Sequence, residues 1–219
     1  MSPGRAPQQE LEQHGDAGLD TDGRRLRRQR NRDAVVDALV GLYNDGNLRP
    51  SSAEIAERAG LSPRSLFRYF DDVDDLCRAA VDRLQEQALP LLAVATTAGD
   101  PLAARIEALV DQRLRLWRNV APAATVSRLE APFHPALADG LRRSRAVLRA
   151  ELATLFGPEL DAMAPEDAEK VLAALDVVCS FESFELLRHD QTLAIPRLRA
   201  TLVHAVTALL RCPLSTPPP

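Results

Sequence analysis

An all-helical chain in two parts, a small N-terminal bundle followed by a larger helical domain, is predicted by three observations. Apolar residues recur at helical spacing in successive stretches, as in Val36, Leu39, Val40 and Tyr43. Prolines at positions 101, 122, 135, 165 and 196 stand at the starts of such stretches, where a missing amide hydrogen costs little. Hydrophobic residues make up 46% of 219 residues, enough for a proper core, yet β-branched residues show no strand-like alternation.

Taken in order, residues 1–23 combine Gly, Pro, Gln and acids with almost no large apolar side chains, and read as a flexible tail. Residues 24–32, RRLRRQRNR, form a dense basic run that leads into the first helix, and Asp45-Gly46 ends that helix. Residues 51–70, SSAEIAERAGLSPRSLFRYF, then carry two helix starts within a dozen residues. Ser51 and Glu54 form an S-x-x-E capping box, and Gly60 can take the left-handed conformation that closes a helix. Ser62 offers a second cap oxygen and Pro63 occupies the first helical position. Leu61, Leu66 and Phe70 point back toward Ile55, Ala56 and Ala59, leaving Arg64, Ser65, Phe67, Arg68 and Tyr69 outside. Two short helices joined so tightly form a helix-turn-helix, and a face of arginines, a hydroxyl and aromatics suits a DNA groove.

The run from Arg32 to Leu76 resembles the DNA-binding domain of TetR-family transcriptional regulators, whose pattern includes I-A-x-x-A-G-V-S-x-x-T-L-Y-x-H-F. Ile55, Ala56, Ala59, Gly60, Ser62, Leu66, Phe70 and Leu76 match outright, Ser51 and Ser52 stand for a small hydroxyl pair, and Leu61, Ser65, Phe67 and Tyr69 are conservative variants. The resemblance implies DNA contacts from Ser51, Ser52, Ser62, Pro63, Arg64, Ser65, Phe67, Arg68 and Tyr69. Phe67 replaces a frequent tyrosine and Val73 a phosphate-binding lysine, with Asp71, Asp72, Asp74 and Asp75 around it. Arg27, Arg28 and Arg30 of the basic run are expected to compensate by lying on phosphates.

Charge placement agrees with that reading. The chain carries −4 overall, but ten arginines oppose five acids over residues 24–70, a local +5 that leaves −9 for the remainder. Double-stranded DNA is therefore expected at residues 24–72 and not at the helical domain, residues 73–211.

Asp71 or Asp72 caps the fourth helix, with the stripe Leu76, Ala80, Leu84, Ala88 and Leu91, and Pro90 kinks or ends it. Asp100-Pro101 opens a helix containing Ile106, Leu109, Val110 and Trp117, Pro122 a shorter one, and Pro135 another that runs to Phe156-Gly157-Pro158. Pro165 starts a long helix and Ile195-Pro196 the last, before a frayed tail at residues 212–219. These last two helices are apolar on several sides, and the resemblance implies a homodimer seam there, with Val178, Phe181, Leu186, Leu202, Val206 and Leu209 as its candidates.

The resemblance further implies an unidentified small-molecule effector. Trp117, Phe133 and Phe181 are candidates for its apolar lining, and Arg113, Arg128, His134 and Glu182 for its polar anchors. Cys77, Cys179 and Cys212 are too scattered for a disulfide framework, and the four histidines lack ligand spacing, so neither metal nor cofactor is expected. No catalytic constellation appears, and no apolar run is long enough for a bilayer, so a cytoplasmic regulator, not an enzyme, is the expectation. It is most simply a repressor released from a palindromic operator by its effector. An effector-independent architectural or nucleoid-associated protein is the alternative.

Overall fold

The computed structural model describes the backbone of residues 13–211 and the side chains of residues 23–211 apart from Val73. Residues 1–12 of the expected N-terminal tail, Cys212 and the expected C-terminal tail lie outside the described residues. The described chain forms ten α-helices with no strand: α1 (Gln13–Asn44), α2 (Ser52–Arg58), α3 (Pro63–Leu66), α4 (Val73–Ala88), α5 (Leu102–Glu130), α6 (Pro135–Leu155), α7 (Gly157–Leu160), α8 (Pro165–Val178), α9 (Phe181–Glu185) and α10 (Ile195–Arg211).

The N-terminal bundle packs α1 to α4 around Val35, Val36, Leu39, Ile55, Ala56, Leu66 and Phe70. α1 and α2 end in the same way. Gly46 (φ +86°) and Gly60 (φ +67°) adopt the left-handed conformation, and the next amides reach back, Asn47 to Leu42 at 3.0 Å and Leu61 to Ala56 at 2.8 Å. The capping box forms as the spacing predicts, with Ser51 Oγ accepting from the Glu54 amide and Glu54 Oε2 accepting from the Ser51 amide at 2.8 Å. Asp72 caps α4 by accepting from the Asp75 amide at 2.7 Å.

Several expectations are corrected. α1 begins at Gln13, so residues 13–23 are helical and not part of a flexible tail. Once the Val35–Val40 segment nucleates α1, each preceding residue adds a hydrogen bond without a further nucleation cost. Pro122 lies inside the continuous α5 instead of opening a new helix. It deprives the Arg118 carbonyl of one amide, a local loss that burial of Ala123 and Val126 offsets. The long helix expected from Pro165 breaks at Cys179, because the Ser180 hydroxyl accepts from the Ser183 amide at 3.2 Å and starts α9.

The second domain wraps α6, α8, α9 and α10 around α5, which buries Ile106, Leu109, Val110, Leu114, Leu116 and Trp117. The stripe Leu198, Leu202, Val206 and Leu210 of α10 closes this core from below. Phe181, Leu202 and Val206 are therefore filled positions of the protomer's own interior and not the exposed seam expected of them. Among the other seam candidates, Leu186 is exposed, while Val178 and Leu209 are half-buried against the same core. Two arginines are sealed inside with carboxylates. Arg105 meets Glu159 at 2.5 Å and the Leu155 carbonyl at 2.8 Å, and Arg113 meets Glu151 at 2.6 Å.

α4 joins the two parts. Its N-terminal half supplies Leu76 and Ala80 to the first core, and its C-terminal half packs on α6. The backbones approach so closely at Gly140 that a Cβ there would collide with Val81 Cγ1. Gly140→Ala should therefore cost about 1–3 kcal/mol through overpacking, read as a lowered urea midpoint with an unchanged m-value.

Candidate DNA interface and ligand cavity

α3 is a single turn, ended at Phe67, so Arg68 and Tyr69 follow it in a tight bend. Arg64 and Arg68 are exposed, as is Phe67 at 64%. Ser62 holds the extended N-cap conformation, but its hydroxyl lies 2.8 Å from Ser65 Oγ instead of a helix amide. Ser51, Ser52 and Pro63 are exposed on the same motif. Tyr69 corrects the expected outward set: it packs on the bundle core, and its oxygen accepts from Asn31 Nδ2 at 2.8 Å. That bond ties α1 to the end of the motif and leaves the phenolic hydrogen for another acceptor.

Arg27 and Arg28 precede Asn31 by one turn and are exposed with Arg30, none of them having an acidic partner among the described residues. The local positive charge is smaller than the count suggests. Arg32 bonds Asp75 at 2.8 Å and lies 4.6 Å over the Phe70 ring, while Arg58 turns to Asp45 at 2.5 Å. The acidic segment is offset in the same way, since Asp75 meets Arg32, Asp72 caps α4 and Asp74 meets His134 Nδ1 at 2.8 Å.

Beyond this bundle, α4, α5 and α6 line a cavity of about 360 Å³ that is open to solvent on one side. Its walls are apolar, with Leu84, Leu116, Trp117, Val120, Leu141 and Leu148 prominent, and Gln85, Ser127, Arg128, Arg143, Ser144 and Arg145 supply the polar groups. Gln85 Nε2 donates to Ser144 Oγ at 3.2 Å, fixing α4 to α6 on its rim. A second cavity of about 330 Å³ lies behind it, lined by Arg113, Cys179, Phe181 and Glu182, and Trp117, Arg128, Arg145 and Leu148 face both.

The expected anchors are thus divided. Trp117 and Arg128 line the main cavity, whereas Arg113, Phe181 and Glu182 line only the second. Phe133 and His134 line neither: Phe133 is 75% exposed after α5, and His134 is held by Asp74. Arg145 and Gln85 were not legible in the sequence, because the approach of α4, α5 and α6 that gathers them leaves no spacing signal in one helix.

Arg128 Nε donates to Glu182 Oε1 at 2.8 Å, and Arg145 Nη2 donates to the same oxygen. Arg128 also lies 4.4 Å over the Phe181 ring, and Trp117 Nε1 donates to the Cys179 carbonyl at 3.1 Å. Partial burial opposes ionisation of Glu182, but the Arg128 hydrogen bond, a backbone amide and the charges of Arg128 and Arg145 outweigh it and hold its carboxyl at about 2.

No family model matches the chain, and no curated protein does. Solved structures do match. A transcriptional regulator from Rhodococcus sp. Rha1 aligns with TM-score 0.63 and 22% identity over 84% of this chain and 96% of its own. A putative TetR-family transcriptional regulator from Rhodococcus sp. aligns with TM-score 0.55 and 21% identity, over 82% and 98%. This chain has the TetR-family fold. The multidrug-binding protein EbrR, solved with imidazole, shares the fold at TM-score 0.53 and 22% identity, over 86% and 97%.

Within this TetR-type fold, burial pushes the Cys77 and Cys179 thiols up to about 11, which disfavours the reactive thiolate. No group of three or more potential metal ligands occurs among the described residues, and no helix there is long and apolar enough to cross a membrane.

The Glu182 contacts predict a pH dependence. A carboxyl lowered in the folded state contributes stability that is fully present above its unfolded value, about 4.3, and lost as pH falls toward 2. The stability difference between wild type and Glu182→Gln should accordingly be constant near neutrality and shrink below pH 4.3. Urea titrations at several pH values would check it.

Proposed function

We propose that this protein is a sequence-specific DNA-binding transcriptional regulator, a homodimeric repressor that a small molecule releases from a palindromic operator. The observation that carries the reading is the double placement of α4. One helix contributes Leu76 and Ala80 to the DNA-binding core and Leu84, Gln85 and Ala88 to the cavity wall. A ligand that favours one arrangement of the cavity then favours one placement of the helix-turn-helix. The cavity also supports this reading over an architectural protein, which has no use for an apolar pocket between its helices.

A dimer is required because one turn of helix reads too few base pairs, and two copies at fixed spacing read two half-sites. With Leu202 and Val206 committed to the protomer core, the exposed face of α10 runs through Arg197, Ala200, Thr201, His204, Ala208 and Arg211, and Ala173 and Val177 are exposed on α8. Ala173, Ala200, Thr201 and Ala208 are small enough to permit close approach of partner helices. Ala208→Arg should yield folded monomers in sedimentation, whereas Leu202→Asp should unfold the protomer by burying an unpaired charge.

DNA binding is tested by selecting duplexes from a random pool. Enrichment of two half-sites related by a dyad supports the reading, and a pool without enrichment overturns it. On the selected duplex, replacing Arg27, Arg28 and Arg30 by Ala should weaken binding to all sequences and flatten the salt dependence. Arg64→Ala should instead cost about 1–3 kcal/mol and relax the preference at one position per half-site.

A further inference from the structure

We infer that the main cavity takes an anionic amphipath, an apolar body of about a dozen heavy atoms carrying one carboxylate-like head that displaces Glu182 from Arg128 and Arg145. The inference deepens the proposed effector reading and rests on the cavity being a ligand site.

Three observations support it. The cavity wall presents Arg128, Arg143 and Arg145 but no carboxylate, so a cationic head would face like charge in a partly desolvated site. An anionic head would find two guanidinium groups already converging on one point, since both bond the same oxygen of Glu182. Size fits as well: a cavity of roughly 150 Å³ holds a six-carbon ring, so about 360 Å³ accommodates roughly twice that. The remaining wall is apolar, and Ser144, whose Oγ accepts from Gln85, can donate its hydroxyl hydrogen to a second head-group oxygen.

Glu182 is the built-in competitor. It enters from α9, on the side of the second cavity, and with Arg128 and Arg145 it forms part of the partition between the two chambers. An incoming carboxylate therefore exchanges one anion for another at the arginines, and the freed α9 lies directly after α8. No new charge is buried without a partner in the exchange.

The test uses decanoate, decylammonium and decanol, three probes of one chain length. Trp117 is the single tryptophan of the chain and lines the cavity, so its fluorescence reports occupancy. Decanoate should bind more tightly than decanol, and decylammonium most weakly. Glu182→Gln should tighten decanoate binding by about tenfold through loss of the competing charge, while Arg145→Met, at a half-exposed side chain, should weaken it about tenfold. Decanol affinity should change in neither variant. Tighter binding of decylammonium, decanoate binding indifferent to both substitutions, or no binding of any probe would each overturn the inference. The selected duplex separates this from the effector reading: decanoate that binds the cavity without weakening the DNA complex supports the ligand class and counts against release by it.

Discussion

α4 has to satisfy two cores with sixteen residues, and the rest of the architecture is arranged around that constraint. Its first two turns complete the bundle that holds the helix-turn-helix, and its last two form a wall of the chamber. The Arg32–Asp75 pair and the Arg83–Asp37 pair hold it against α1. Gly140 and the Gln85–Ser144 bond hold it against α6. Neither domain can shift along α4 without disturbing contacts that the other domain uses.

Local signals were the legible part of this fold. The capping box at Ser51, the left-handed glycines at 46 and 60 and the Asp72 cap each arise within five residues, and the sequence states them directly. What stayed hidden depends on residues distant in the chain. Nothing near Pro122 says that α5 buries a broad face on both sides of the proline, and that burial lets the helix run through it. Leu202 and Val206 look alike whether an apolar stripe meets its own core or a partner, and the choice was decided by α5 and α8. His134 looked like a ligand anchor, but the turn after α5 delivers it to Asp74 instead.

The electrostatics follow the same division between composition and placement. Counting charges located the basic region correctly but overstated its strength, since Arg32 and Arg58 serve internal pairs. The aspartates around Val73 looked hostile to DNA, yet most of their charge is directed to a helix amide, an arginine and a histidine. The arginines of this region that remain exposed without an acidic partner among the described residues include Arg25, Arg27, Arg28, Arg30, Arg49, Arg64 and Arg68.

The Gly140–Val81 approach is the tightest contact of α4 with α6, so a tilt of α4 would turn about it. Val81 sits about 12 Å from the N-terminus of α4 at 1.5 Å per residue, so a tilt of about 10° about that point sweeps Val73 through about 2 Å. The helix-turn-helix stands further out along the same lever arm and moves further still. In a two-fold assembly both arms would swing together, doubling the change in separation. On the proposed release mechanism, a rearrangement no larger than a side-chain rotamer at the cavity would be geared up to a larger shift at the helix-turn-helix.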